Sequence, residues 1–346
     1  MTKTAPPRIV GLDYLRVGLA LLIFLFHSRI HLLCDYGFLN NFIREGNLAM
    51  TGFFMLSGYV LMMNYSKTDL KNGEIILFYK RRVVSIYPLY IVTGTCFVAI
   101  MILGGYQSIA DNLILLPIEV FGLQSMFQNS LSAYAHNGGT WFISCLLVCY
   151  SFFPVIKIVL LNLSRYYKCL TLMLFLGAYI PLVAKCFEVE SMYTNPVYRL
   201  LEFSIGCTLA CISMQGQMRM TGLLRKALVI FSTIAMVLIV SWLHAYDYPN
   251  EWVVLFYFVV ILYLLGTDEK YYNESKTLFY LSKMSYAFFL AQFFVWNPMK
   301  LLLQYFQIPN IGIILTSLLI CTIVSIILHE TIEVKLGNVF KKALKM

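Results

Sequence analysis

The stretch Leu12–His27, LDYLRVGLALLIFLFH, is apolar enough to begin a membrane crossing, yet it carries Asp13 and Arg16 near one end and His27 at the other. A helical crossing takes about 20 predominantly apolar residues. Arg16 and His27 are eleven positions apart. At roughly 100° per residue that is almost a whole number of turns, so the two side chains share one helix face about 16 Å apart along its axis. Ionisable groups inside a span are costly and normally face a protein interior or a water-filled cavity. Two readings stay open at this point. Either this face lines a reaction site, or Asp13 and Arg16 form a structural pair near the interface and His27 is a snorkelling or hydrogen-bonded residue.

Working outward, the chain has 346 residues, of which 60% are hydrophobic and only 12% charged. Soluble domains sit nearer half apolar and a quarter charged, so this composition predicts an integral membrane protein. The net charge of +9 would suggest nucleic acid in a soluble chain, but here it reads as loop charge that sets membrane orientation. The nine cysteines show no CxxC or metal-type spacing and read as small buried apolar residues. Cys34 and Cys186 both fall near the expected outer face, which leaves a bridge between them open. Lys3 and Arg8 precede the first apolar run, but Ser28-Arg29-Ile30-His31 follows it instead of a small-residue cleavage site. A retained span is expected, not a signal peptide.

Eleven apolar stretches are candidate crossings: 10–32, 46–64, 84–103, 110–128, 140–162, 169–187, 198–213, 226–244, 252–266, 278–299 and 308–329. The weakest is 110–128, which holds Asp111, Asn112, Pro117, Glu119 and Gln124. It is better read as an amphipathic or re-entrant piece. Without it, twenty of the 26 Lys and Arg residues fall on one side, five on the other, and Arg16 within the first span. The positive-inside rule puts the twenty in the cytoplasm. The expectation is an all-α polytopic bundle of about ten transmembrane helices, with both termini cytoplasmic. It forms a single domain over 1–346 and sits in the plasma membrane.

Other stretches carry chemistry-bearing residues. In Gly46–Tyr59, GNLAMTGFFMLSGY, the small residues Gly52, Ser57 and Gly58 let helices approach closely. In Phe78–Tyr90, FYKRRVVSIYPLY, the cluster Lys80, Arg81 and Arg82 sits at a helix entrance. It serves either as an anchor on anionic lipid or as a docking site for the phosphates of a donor. Pro88 is expected to kink that span. A helix begins at Thr140-Trp141 after Gly138-Gly139. Arg199 and Glu202 at i, i+3 can pair locally. His329, Glu330 and Glu333 end the last span, with Lys335 or the 80–82 cluster as expected partners for the two glutamates. The five histidines, 27, 31, 136, 244 and 329, are scattered, so no metal site is expected. No phosphate-binding loop, dinucleotide fingerprint or nucleophile elbow occurs.

Taken in order, these pieces resemble the acyltransferase-3 membrane proteins. LDYLRVGLALLIFLFH is similar to their opening signature, GFFMLSGY to their second-helix signature, and RRVVSIYPLY to their Arg-rich third-helix entrance. TWFISCLLVCY, RLLEFSIG, SYAFFL and Ile332-Glu333 resemble later features in the same order. The resemblance implies transfer of an acyl group, usually acetyl from acetyl-CoA, to a hydroxyl of a sugar, lipid-linked glycan or other acceptor. It further implies that His27 and Arg16 are the essential pair and that Arg82 is the first arginine of an Arg-x-x-Arg motif. Glu333 matches an acidic position near the end. The second arginine of that motif falls on Ser85, a frequent histidine falls on Gln292, and the glutamate often seen after the Trp signature is absent.

Ester-forming acyl transfer needs a base for the attacking hydroxyl, and a neutral histidine is the usual one near neutral pH. His27 is expected as that base or as an acylated intermediate. Arg16 is expected to hold the phosphate or pantetheine portion of acyl-CoA, and Lys80, Arg81 and Arg82 the nucleotide end. Asp13, Ser57, Trp141 and Glu333 are supporting residues. The expected partners are acyl-CoA, a sugar or lipid-linked glycan acceptor and membrane lipid, with no nucleic acid and no metal. A transporter or flippase with the same polar face is the competing class.

Overall fold

The computed structural model describes residues 8–70, 73–105, 107–127, 139–187, 192–216, 220–245, 250–267, 275–306 and 308–344. His136 and Gly138 lie outside the described residues. Within them every regular element is helical. In chain order the helices are α1 (Val10–Leu32), α2 (Asn40–Arg44), α3 (Ala49–Tyr65), α4 (Gly73–Leu103), α5 (Ile109–Phe121), α6 (Trp141–Leu161) and α7 (Tyr166–Cys186). They continue with α8 (Pro196–Gln215), α9 (Gly222–Ala245), α10 (Glu251–Gly266), α11 (Lys276–Lys283), α12 (Ser285–Tyr305) and α13 (Asn310–Leu328). A π-helical segment, His329–Leu336, then leads into α14 (Gly337–Ala343).

Among the described residues, 8 helices are long and apolar enough to cross a membrane, and up to 9 if α11 and α12 form one broken span. The shorter apolar α10 falls on the remaining expected crossing. The protein is thus a polytopic helical bundle. The rejected 110–128 stretch is a short helix, α5, followed by a turn at Gln124–Met126. Ser108 Oγ accepts from the Asp111 N–H at 3.1 Å and the Asp111 carboxylate accepts from the Ser108 N–H at 3.2 Å, a reciprocal cap that starts α5. Gly122, with φ +64°, ends it in the left-handed region.

One expectation needs correction. The loop expected over 65–83 is mostly helix, because α4 starts at Gly73 and carries Lys80, Arg81 and Arg82 inside its second and third turns. Pro88, where a kink is expected, lies inside α4, whose helical assignment continues on both sides of it. One lost N–H donor is tolerated where the turns on either side stay bonded.

The chain divides into two compact units interleaved in sequence. The first comprises 1–69, 155–193 and 198–285. Its core is set by glycines that bring backbones together. A Cβ at Gly58 of α3 would overlap the Phe203 carbonyl of α8, and one at Gly206 of α8 would overlap the Met55 carbonyl of α3. The two helices therefore cross at a reciprocal small-residue contact. A Cβ at Gly11 of α1 would likewise overlap the Leu265 carbonyl of α10. Beside this crossing, Arg199 Nη1 donates to Glu202 at 2.6 and 2.8 Å, and Thr51 Oγ1 donates to Glu202 at 2.7 Å. All three residues are buried. A buried carboxylate and guanidinium are tolerated when paired and fully hydrogen-bonded.

Two basic residues counted as loop charges prove to be structural in this unit. Lys157 is buried in the last turn of α6 and donates to the Thr68 carbonyl. Arg225 is buried at the start of α9 and donates to Leu264 O at 3.1 Å and to Thr267 Oγ1. Arg225 satisfies a carbonyl that the end of α10 leaves open, and Lys157 satisfies one in the turn after α3. Cys34 and Cys186 are both free thiols, one buried and one exposed.

The second unit comprises 70–154, 194–197 and 286–346. Aromatic packing joins its helices. Phe78 of α4 stacks on Phe153 of α6 with centroids 5.3 Å apart, and Phe142 of α6 meets the edge of Phe289 in α12 at 5.5 Å. Ser125 Oγ and Ser144 Oγ share a 2.6 Å hydrogen bond that ties the turn after α5 to α6.

Candidate active site

Arg16 belongs to a buried polar corner of the first unit. Asp13 lies one turn before it on α1. The Asp13 carboxylate accepts from Arg8 Nε at 2.7 Å on one oxygen and from Ser282 Oγ at 2.6 Å on the other. Arg16 Nη1 donates to the same Ser282 oxygen at 3.4 Å. Ser282 is 1% exposed and lies in the last turn of α11. Its proton is given to Asp13, so its lone pairs are turned to the arginine. Asp13 and Arg16 thus meet through a serine 266 positions further along the chain than Arg16. Arg8 and Lys283 both sit over the Phe279 ring at 4.1 Å. Two cations thus share one ring face, one of them paired to Asp13, and Arg16 reaches the same corner through Ser282, which makes it a cation-rich place suited to an anionic group.

His27 is half-buried two turns above the midpoint of α1. Its ring lies between Phe26, with centroids 5.3 Å apart, and His31, at 6.0 Å. Because α1 is unbroken from Val10 to Leu32, the expected separation of about 16 Å from Arg16 stands. A loop holds this turn. The buried Ser28 hydroxyl donates to Leu25 O at 2.9 Å and shares a 2.6 Å bond with the Tyr36 hydroxyl. Tyr36 is set in turn by Asn40 Oδ1, which accepts from its N–H at 3.0 Å. Burial pushes the Tyr36 phenol up to about 12. The Asn40 amide and the Gly37 N–H bonded to the Asp35 carboxylate hold it below its usual value.

The remaining expected residues are dispersed. Ser57 is half-buried on α3 in the first unit. In the second unit Lys80 and Arg81 are exposed, which fits a headgroup anchor, whereas Arg82 turns inward. Its guanidinium carbon is 5.9 Å from the Phe78 ring and 5.7 Å from the Tyr150 ring. Helix phase thus gives the three basic residues different surroundings, two exposed and one half-buried. Glu333 accepts from His329 Nδ1 at 2.8 Å across one turn of the π-helical segment, so its partner is neither Lys335 nor the 80–82 cluster. Trp141 is buried at the first turn of α6 against Phe142. Gln292 is fully buried on α12, while Ser85 is exposed.

Three participants escaped the sequence reading. Ser282 and Tyr36 are small or neutral residues with no spacing that ties them to α1. Arg8 was counted only as a terminal positive charge. Residues 9–330 of the chain match a family model described as an acyltransferase domain. No curated protein and no solved structure matches the chain.

Proposed function

Because the chain belongs to the acyltransferase-3 family and is a multi-pass membrane acyltransferase, we propose that it moves an acyl group, with acetyl the preferred one, from acyl-CoA to a hydroxyl of a sugar or surface glycan. The observation that carries the donor half is the cation-rich corner: Arg8 on Asp13, Lys283 over the same Phe279 ring as Arg8, and Arg16 aimed by the Ser282 that donates to Asp13. A fixed guanidinium binds phosphate oxygens in a fork, and CoA is the phosphate-rich partner of acyl transfer. Within the second unit Arg82, braced by two aromatic faces, is the candidate for binding a phosphate. Lys80 and Arg81 are assigned to the membrane surface. The twenty-to-five division of basic residues favours a cytoplasmic donor and the plasma membrane.

His27 is assigned the acceptor half. Its imidazole takes the proton of the attacking hydroxyl, whose oxygen bonds to the thioester carbonyl carbon. The carbon–sulfur bond breaks, and the departing thiolate of CoA receives the proton. The other route has the imidazole attack first, giving an acyl-imidazole that the hydroxyl then displaces. Purified protein mixed with acetyl-CoA alone separates them: stoichiometric release of free CoA without acceptor marks the acylated route, and none marks the base. His27→Ala with donor and acceptor tests either role, and undiminished transfer removes His27 from the mechanism. A transporter or flippase moves its solute unchanged, so acceptor-dependent release of free CoA excludes that class for this site.

A further inference from the structure

A recess of about 260 Å³ lies in the second unit, and no residue assigned to acyl transfer lines it. Its walls are Ile91, Gly94, Thr95 and Val98 of α4, Leu116 and Val120 of α5, with Thr140, Glu119, Tyr90 and Gln124 completing the lining. Ile91 and Thr95 are exposed on α4, a helix long and apolar enough to cross a membrane, so the α4 side of the mouth faces hydrocarbon; Leu116 and Val120 are the exposed apolar residues opposite on α5. Gln124, Tyr90 and Thr140 are 2%, 3% and 2% exposed and give the recess a polar floor. Its size is at the lower edge of small-molecule sites and suits a single chain.

Among the described residues, the floor holds a buried acceptor without a hydrogen-bond partner, Gln124 Oε1. Tyr90 spends its only hydroxyl proton on the Glu119 carbonyl. Gln124 can therefore meet the Tyr90 oxygen only as a donor, through Nε2 at 2.6 Å. That orientation leaves Gln124 Oε1 buried without a hydrogen-bond partner. A buried amide oxygen lacking a donor is costly, the more so beside hydrocarbon. Lipid tails supply no donor, but a lipid with a hydroxyl near its chain does.

We propose that this recess binds the alkyl chain of a hydroxyl-bearing membrane lipid, with the lipid hydroxyl donating to Gln124 Oε1. The site stands independently of the acyl-transfer chemistry. Gly94 offers the means to close it, since a side chain there enters open space and displaces nothing.

The test uses the full chain in lipid nanodiscs with a photoreactive monoacylglycerol, and the matching methyl ester lacking hydroxyls as comparison. Crosslinked residues are mapped by mass spectrometry, and the exposed Phe231 and Leu238 face of α9 reports ordinary annular lipid. Labelling of Tyr90–Val98 and Leu116–Gln124 by the hydroxylated probe is expected at several times the yield of the ester. Gly94→Phe abolishes it for both probes, and Gln124→Leu erases the preference while α9 labelling stays constant. Equal labelling by both probes overturns the hydroxyl contact. Labelling no greater than on α9, or unmoved by Gly94→Phe, overturns the site. Both variants are compared as monodisperse protein, and should Gly94→Phe fail to fold, Thr95→Trp at the same mouth replaces it.

Discussion

Ser282 connects two residues that the sequence could only juxtapose. Asp13 and Arg16 stand three positions apart on α1, but the shared partner that orients them is the last serine of α11. A hydrogen bond to a charged group is worth about 1.5–3 kcal/mol net. At 3.4 Å the Arg16 contact lies at the weak end, so Ser282→Ala is expected to raise KM for acyl-CoA about tenfold, equivalent to about 1.4 kcal/mol. Turnover at saturating donor should change little, and Ser282→Thr should restore affinity. A drop in kcat alone, with KM unmoved, would show that Ser282 does not act through donor binding. For His27→Ala the expected loss is roughly 10²–10⁴ in kcat, the usual range for a general base, measured as acceptor-dependent release of free CoA.

At the scale of elements, the α3–α8 crossing and the loop after α1 make separate predictions. Gly58→Ala places a methyl against the Phe203 carbonyl, and backbone cannot yield as a side-chain tip does. Overpacking of this kind costs about 1–3 kcal/mol, so thermal unfolding in detergent should begin several degrees lower. Gly18→Ala on the exposed face of α1 meets nothing and should leave the unfolding temperature within error. The Tyr36 clamp is sensitive to alkali. Its phenol is raised to about 12 by burial, so the folded state holds the proton more tightly than the unfolded one. The stability this adds is complete below about pH 10, the ordinary tyrosine value, and is lost as pH rises through about 12. An ultraviolet difference titration of wild type against Tyr36→Phe should therefore show a phenol ionising well above the bulk tyrosines.

For the whole molecule, sidedness is open to direct measurement. The charge division assigns both termini to the cytoplasm and places Cys186, at the end of α7, outside. Cys186 is exposed, whereas Cys34 is buried. A membrane-impermeant maleimide applied to intact cells should label the chain, and Cys186→Ser should remove most of that labelling while Cys34→Ser leaves it unchanged. Labelling of Cys186 only after the cells are opened would invert the topology. Lys157 and Arg225 carry little weight in this argument, since both are buried and donate to backbone carbonyls, and the asymmetry survives their omission.

Hydropathy and charge along the chain were enough to determine an all-helical membrane protein, the positions of its spans, the exclusion of 110–128 and the residues Arg16 and His27 on one face. These properties are local: apolar length and a 3.6-residue period are written in consecutive residues. Tertiary structure alone decided which polar groups serve each other. The helix phase of α4 gives Arg82 surroundings different from those of Lys80 and Arg81, a π-helical turn gives Glu333 to His329, and α11 delivers Ser282 to Asp13 and Arg16. Hydrogen bonds act over about 3 Å, and partners 266 positions apart come within that range only when their helices pack.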